Sequence, residues 1–599
     1  MVDALGSAIT LCLIGMHGAI AVADVPQFDE EAVQRGLVHH VVDGAFGGAG
    51  QYGCGVALCD LDNDGDDDVV AMGAAGDQLR IFENNGSGQF IDRTVGSGLP
   101  VTIRASGLVA GDYDGDGDLD LFLTRWLQSA MMLRNEGGLN FVNATAQTLL
   151  TGITGPGTGC AFGDYDADGD LDLAVGMRTN TLANQMRNRL YRNNGNATFT
   201  DVAATMGVDD AFPTFQVLLH DLDRDGDCDM YVSNDKGLPG LSWNRLFRND
   251  AGVLVEDCAS EACLVIDSMG VCVGDLDLNG LPDIYCTNIA TGHVLLMSDG
   301  PLHFEQRDAE ADVQGNATGW GALIFDADND IDQDLFACSM MGAPDYLWVT
   351  ENGFPMVDRS KASGLGDAQD SYCLAAGDVD LDGDVDLLMQ SRLANLRLYI
   401  NSAPKNHSSV SIRIVGVGRN THAVGALADF EVHGSTVVRE VIAGSCYKSQ
   451  SSYVLHCGIG TEPNAERVTI HWPRVGALRE ERVLTDVPTG FVLPVYPPSR
   501  LGDALNDGRV DPADRAACDA CASTEFGPAC AVFDMDGDCR ITELDRAAVL
   551  ARLLDVARDG PVGARDLAHL LDGWGRPTLD LTGDKTVNAA DVAFLLANW

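Results

Sequence analysis

Nine residues, Asp112-Tyr113-Asp114-Gly115-Asp116-Gly117-Asp118-Leu119-Asp120, carry the most legible chemistry in this chain. Three aspartates alternate, Gly117 follows, and Asp120 closes the stretch. A hard cation such as calcium takes about six to eight oxygens from carboxylates, backbone carbonyls and water. In a tight loop, side chains at positions 1, 3 and 5 converge on one point. Glycine at position 6 permits the sharp turn, position 7 offers its carbonyl, and a carboxylate at position 9 closes the shell. A single copy is equally well read as a solvated acidic turn.

The pattern occurs seven times, as Asp60, Asp62, Asp64 and Asp68; Asp112, Asp114, Asp116 and Asp120; Asp164, Asp166, Asp168 and Asp172; Asp221, Asp223, Asp225 and Asp229; Asp275, Asp277, Asn279 and Asp283; Asp326, Asp328, Asp330 and Asp334; and Asp378, Asp380, Asp382 and Asp386. Solvated surface does not recur at a near-fixed interval. A period of about 50 residues with strand signals marks a propeller or a similar array. Two departures stand out. Asn279 replaces an aspartate, and Ile331 replaces the glycine of the sixth loop, which predicts a disturbed turn and altered metal occupancy there.

The elements that position these residues are strands. Gly107-Leu108-Val109-Ala110 precedes the second loop and Leu119 to Leu123 follows it, giving strand, metal-bound hairpin, strand. A second hairpin mark follows in each repeat, as in Ile81-Phe82-Glu83-Asn84-Asn85-Gly86 and Leu190-Tyr191-Arg192-Asn193-Asn194-Gly195. Each repeat is therefore expected to be a four-stranded antiparallel blade. The repeats end on a phenylalanine-to-glycine-leucine pattern, Phe90 to Leu99, and the same pattern runs from Phe28 to Leu37, ahead of every loop. The seventh repeat has no such tail, so the N-terminal strand is expected to complete the last blade and close the ring.

These repeats resemble the FG-GAP/VCBS repeats of integrin-like propellers, which implies calcium in the hairpin loop of each blade. Beyond Asn401 the pattern changes to alternating runs such as Val410 to Val415 and Arg467 to Trp472. Val424-Gly425-Ala426, Arg439-Glu440-Val441, Ser449-Gln450, Gly458-Ile459-Gly460 and Trp472-Pro473 resemble the ASPIC/UnbV domain, with Cys457 where that domain usually has an aromatic residue. A seven-bladed FG-GAP propeller followed by that domain is similar to the cartilage acidic protein family. After Tyr496-Pro497-Pro498-Ser499 the pattern turns helical, and each helix opens at an aspartate that can be position 12 of a calcium loop. Asp534, Asp536, Asp538, Thr542 and Asp545 fit such a loop, as do Asp580, Thr582, Asp584, Asn588 and Asp591, and both resemble dockerin repeats. The loops at Asp503 and Asp555 carry Leu505 and Ala557 at position 3 and are expected to bind calcium weakly or not at all.

The expected fold class is mainly β: a seven-bladed integrin-like β-propeller over residues 24–402, a small β domain over 406–497, and a small all-α EF-hand/dockerin-like domain over 501–599. Residues 1–23 read as a signal peptide, an apolar stretch ending in Ala21-Val22-Ala23 without the usual basic start. The formal charge of -51 excludes nucleic acid and anionic membrane surfaces, which need basic patches. Of 17 cysteines, Cys12 falls in the signal stretch and an even number remains, so disulfides suit an exported chain. Cys258 with Cys263 and Cys446 with Cys457 are expected pairs, and Cys518, Cys521, Cys530 and Cys539, whose spacing could also suggest zinc, are expected in an oxidising compartment to form two more. Cys160, Cys272 and Cys373 read as small buried hydrophobes.

Catalytic patterns are missing. None of the 12 histidines forms a spaced ligand set, and there is no nucleophile elbow, phosphate loop or HExxH. The reading is an exported, non-catalytic, calcium-binding protein whose propeller displays a surface to a protein or glycan ligand and whose tail docks to a cohesin-type partner or the cell surface. The alternative is a secreted polysaccharide lyase or hydrolase on a propeller scaffold.

Overall fold

The computed structural model describes residues 25–41, 52–73, 79–100, 105–150, 153–178, 186–237, 242–351, 353–366, 368–404 and 406–502, then 510, 512–521, 526–542 and scattered positions beyond. The expected signal segment lies outside the described residues. Among the described residues, seven four-stranded antiparallel sheets precede residue 403. The second is typical: Ala105–Gly111, Asp120–Arg125, Met131–Asn135 and Phe141–Asn143 follow in chain order, and the first strand is buried throughout. Each aspartate loop joins the first two strands of its sheet.

The seventh sheet has Ser371–Gly377, Asp386–Ser391 and Leu396–Ser402, and its fourth strand is Gln27–Glu30 from the other end of the chain. Phe28 pairs with Asn401 and Glu30 with Tyr399. The expected closing strand is therefore present. Its register follows from hydrophobic alternation, because Phe28 is buried while both its neighbours are exposed.

Backbone bonds at the periphery stitch successive sheets together. The Phe90 amide donates to the Arg35 carbonyl at 2.8 Å, Phe141 to Ser97 at 2.7 Å, and Phe28 to Ser363 at 2.8 Å. These are the phenylalanine and glycine-leucine segments of the sequence pattern, and the glycine has a steric reason. A Cβ on Gly98, which sits at φ 77°, would lie 2.0 Å from the Phe141 carbonyl oxygen. The array is β-propeller-like, with first strands innermost and fourth strands outermost.

The β domain has two sheets. Ser408–Ile414 lies between Leu455–Gly460, antiparallel, and Val492–Val495, parallel, and a four-stranded sheet runs Ser435–Glu440, Leu427–Val432, Asn464–His471, Glu481–Pro488. Its core around Phe430, Val468, Ile470 and Trp472 merges with that of the first three propeller sheets. Residues 443–452 leave the domain and enter the centre of the ring. There Leu108 donates to the Lys448 carbonyl at 3.0 Å, Gln450 exchanges backbone bonds of 3.0 Å with Val56 and Leu58, and Ser452 donates to Ala376 at 2.9 Å. Cys446, Tyr447 and Lys448 are all left-handed, at φ 53°, 61° and 61°. Such a run is unfavourable for L-residues and persists only where its surroundings over-determine it.

That plug explains a missing disulfide. Cys446 is carried into the ring while Cys457 stays in a strand opposite Val410, and both remain buried thiols. In the tail, Cys521 bonds Cys530 while Cys539 remains a buried thiol, so the second of the two expected pairs, Cys518 with Cys539, is not formed. Cys258–Cys263 forms as expected, and Cys160, Cys272 and Cys373 are buried thiols. The described part of the tail, with a helix at Pro512–Cys521 and a turn at Pro528–Phe533, packs against the β domain.

Removing residues 25–41 strips the seventh sheet of its fourth strand and exposes a long edge. The truncated chain is expected to aggregate or to melt without cooperativity, followed by circular dichroism and light scattering. A monomeric truncation with the parent melting curve would contradict closure.

Candidate metal centres

Each of the seven loops uses one hydrogen-bond scheme. The position 1 carboxylate accepts backbone amides from its own turn: Asp60 from Asp64 and Gly65 at 3.1 Å each, Asp378 from Asp382 and Gly383 at 3.1 and 2.9 Å. The position 5 side chain accepts the amide two residues on, as Asp168 does from Asp170 at 3.0 Å and Asn279 from Leu281 at 2.8 Å. The position 9 carboxylate holds two amides. In the second loop Asp120 accepts Tyr113 at 3.2 Å and Asn135 at 2.8 Å, and in the fourth Asp229 accepts Leu222 at 2.9 Å and Asn249 at 2.7 Å. Position 9 therefore ties the loop to the third strand of its sheet in addition to facing the other carboxylates.

Position 3 differs. The Oδ1 atoms of Asp62, Asp114, Asp166, Asp328 and Asp380 are buried and have no hydrogen-bond partner. The same oxygen is thus orphaned in five loops. Buried acceptors are normally satisfied. A recurring orphan beside converging carboxylates fits a cation seat.

Carboxylate oxygens of Asp60, Asp62 and Asp64 lie within 4.8 Å of one another, as do those of Asp112, Asp114 and Asp120; of Asp164, Asp166 and Asp172; of Asp221, Asp223 and Asp225; and of Asp275, Asp277 and Asp283. Oxygen donors at such spacing suit calcium. Burial, and then neighbouring carboxylates, push Asp62 up to about 6, Asp164 and Asp378 to about 7, and Asp120, Asp229 and Asp328 to about 9. Asp172, Asp283, Asp334 and Asp386 rise well above the usual carboxylate range for the same reason.

The sixth loop keeps its shape despite Ile331. That residue takes φ 91°, where the other loops have glycine at 85–109°, and its amide still donates to Asp326 at 2.9 Å. A β-branched residue there costs about 1–2 kcal/mol. Ile331 packs against the core shared with the β domain, which offsets part of that cost. Position 4 is left-handed as well, at Asn63, Gly115, Ala167, Arg224, Leu278, Asn329 and Leu381, although only two of these are the asparagines that favour it.

A further part of the site was not read from the sequence. The asparagine at the end of the third strand reads in the sequence as a hairpin mark, yet its side chain reaches the loop of the preceding sheet. Asn135 donates to the Leu61 carbonyl at 2.7 Å, Asn193 to Tyr113 at 2.8 Å, Asn249 to Tyr165 at 2.7 Å and Asn401 to Ala327 at 2.8 Å. Asn84 donates to Val379 at 2.8 Å and so links the first loop to the seventh. Ser298 and Thr350 stand at this place in the fifth and sixth sheets, and their amides still bond position 9. The asparagine recurring 15 to 21 residues after the position 9 aspartate was the available signal.

The β domain lies over the loops. Arg413 pairs with Asp60 at 3.1 Å, Arg419 with Asp170 at 2.7 Å and Arg474 with Asp227 at 3.2 Å, while Thr421 donates to Asp112 at 2.5 Å. Position 4 carbonyls are met too, with Gly476 donating to Ala167 at 2.7 Å and Gly460 to Asn329 at 2.8 Å. In the tail loop Asp534 accepts Gly537 at 2.9 Å, Asp536 accepts Asp538 at 3.4 Å, Asp538 accepts Arg540 at 3.0 Å, and Asp545 accepts Met535 and Thr542 at 2.7 Å. Arg482 of the β domain pairs with Asp534 at 3.3 Å, and Thr485 donates to Gly537 at 2.7 Å. This loop is docked instead of standing apart beyond the diproline. Asp580, Thr582, Asp584, Asn588 and Asp591 lie outside the described residues, as do Asp503 and Asp555.

A looped, four-stranded repeat with an acidic hairpin and a β domain covering the loops defines an FG-GAP-type architecture, and comparison with known proteins agrees. Residues 60–123 and 181–232 match the FG-GAP-like repeat, and residues 416–498 match the ASPIC and UnbV family. Cartilage acidic protein 1 of Xenopus tropicalis is 27% identical over 203 residues, covering 31% of this chain and 31% of that protein. The protein of the same name from Mus musculus is 24% identical over 337 residues, covering 50% of each. These matches support kinship with the cartilage acidic proteins, and the chain spans half or less of the length of these curated relatives. Similar solved structures include an Agrocybe aegerita lectin described as recognising non-reducing terminal N-acetylglucosamine, with a TM-score of 0.34 and 18% identity over 50% of this chain and 77% of that one. Another is BBS1N in complex with ARL6DN, with a TM-score of 0.41 and 11% identity over 64% and 98%.

A carboxylate whose pKa is raised on folding binds its proton more tightly in the folded chain. Its contribution to stability is fully present below the unfolded value of about 4 and is lost as pH rises through the folded value. In metal-free buffer the melting temperature is therefore expected to fall between about pH 4 and the values near 9 reached by Asp120 and Asp229. Saturating calcium favours the charged form and is expected to flatten or reverse that trend. Calorimetry across pH with and without calcium checks this, and identical profiles would contradict the cation seat.

Proposed function

We propose that this chain is an exported, non-catalytic binding protein built on a closed, seven-bladed propeller whose loops hold calcium. The observation that carries the metal reading is the orphaned Oδ1 shared by Asp62, Asp114, Asp166, Asp328 and Asp380. When bound, the ion supplies charge neutralisation at positions 1, 3, 5 and 9 and fixes the loop. The β domain then clamps the loop face, with Arg413, Arg419 and Arg474 at its rim. Support for a non-catalytic role comes from the disposition of the acidic groups, which are absorbed by the repeating loops. The kinship with cartilage acidic proteins favours an extracellular location. The tail loop at Asp534 serves attachment, with a cohesin-type protein or a cell-surface polymer as partner.

A ligand that binds only the folded state adds about 2.7 kcal/mol per site at a hundredfold excess over Kd, and typical domains are stable by about 5–15 kcal/mol. Excess chelator is expected to lower the melting temperature sharply. Asp114→Ala and Asp166→Ala are each expected to remove one site from the calcium stoichiometry and to cost several degrees in calcium. An unchanged melt in chelator, or full stoichiometry in both variants, would overturn the proposal.

A further inference from the structure

The fourth aspartate loop departs from the other six. At position 1, the Oδ1 atoms of Asp60, Asp112, Asp164, Asp275, Asp326 and Asp378 each accept a backbone amide from their own turn, at 2.7 to 3.2 Å. In the fourth loop the Asp225 amide turns instead to Asp223, at 3.2 Å, and Asp221 Oδ1 is left buried without a hydrogen-bond partner. The residue just before position 1 differs as well. It is Cys59, Gly111, Gly163, Gly274, Phe325 or Gly377 elsewhere and His220 here.

His220 ends the strand Thr214–His220, innermost in the fourth sheet, and Glu440 ends the strand Ser435–Glu440 of the β domain. The two meet where the domain lies on the ring. His220 Nδ1 stands 2.8 Å from Glu440 Oε2. Neither atom has a hydrogen-bond partner, so the two are at contact distance without the alignment of an N–H on its acceptor. Glu440 Oε1 accepts the Asp221 amide at 3.4 Å, which lays the carboxylate across both residues. His220 and Asp221 are 6% and 4% exposed, and the Glu440 side chain is 4% exposed.

Three buried donor atoms from two domains are thus left unsatisfied together, where buried polar atoms normally find a partner. Burial, and then the Glu440 charge, push Asp221 up to about 7, so the two carboxylates are held close at a cost that a cation would remove. An ion pair that merely fastened the domains would leave nothing unmatched at Asp221. Ligands of one ion at about 2.0–2.2 Å lie roughly 3 Å apart. An imidazole nitrogen with two carboxylate oxygens suits zinc and its neighbours in the first transition row, whereas calcium takes an all-oxygen shell. All three residues line one cavity of about 160 Å³, against the apolar Leu218, Val271 and Ile324, so water has room to complete the shell.

We propose that His220, Asp221 and Glu440 form a zinc site that joins the ring to the β domain. The site goes beyond the calcium reading, because its nitrogen donor and its second carboxylate both lie outside the repeated loop.

The test uses the untagged full chain in excess calcium. Titration with zinc chloride is expected to show one site per chain and to raise the melting temperature further. His220→Gln and Glu440→Gln are each expected to weaken zinc binding by about tenfold or more while calcium stoichiometry stays at the parent value. No zinc uptake beyond calcium, or parent affinity in both variants, overturns the proposal. If neither variant folds, zinc K-edge absorption of the parent decides. A shell of oxygens with one imidazole is expected, and a shell of oxygens alone, or with several imidazoles, overturns the site. Zinc uptake with these properties by a chain that takes no calcium supports this site while overturning the calcium reading.

Discussion

Carboxylates within 4.8 Å of one another and partly withdrawn from water repel, and that repulsion is the constraint on which the rest of this molecule depends. Burial penalises the charged form of each, and proximity penalises it further. The backbone answers part of the problem by aiming amides at positions 1, 5 and 9, and arginines of the β domain answer another part at Asp60, Asp170 and Asp227. Neither reaches the position 3 Oδ1 of Asp62, Asp114, Asp166, Asp328 and Asp380. A cation there would convert the least favourable feature of the ring into its organising one, because the same loops anchor the third strands, receive the asparagine side chains of the next sheet and support the β domain.

Ring and cap are thereby one mechanical unit. Asn84 bonds Val379 and Phe90 bonds Arg35, so inner and outer links both cross the junction between the chain's first and last repeats. The segment 443–452 fills the centre, and bonds through Lys448, Gln450 and Ser452 tie it to the innermost strands of the second, first and seventh sheets.

Much of this was legible in the sequence, for reasons of periodicity. A local loop with ligands at fixed positions, repeated with strand signals on either side, specifies its own geometry, and the Phe28 segment declared its register by matching the tails of other repeats. What escaped depends on contacts between distant segments. Ile331 predicted a disturbed turn, yet the β domain packs against it and the turn holds. Cys446 and Cys457 are close in sequence, but the plug separates them. The asparagine latches look like ordinary hairpin residues until the preceding sheet is in place. The helical pattern beyond Pro497–Pro498 does not show that Arg482 and Thr485 of the β domain dock the loop at Asp534.

The central claim is that a cation occupies the space beside the position 3 oxygens. Crystals grown in calcium and measured for anomalous scattering test it most directly. Calcium occupancy predicts a peak within bonding distance, about 2.3–2.6 Å, of the Oδ1 atoms of Asp62, Asp114, Asp166, Asp328 and Asp380. Loops carrying only water beside those oxygens at millimolar calcium would contradict it.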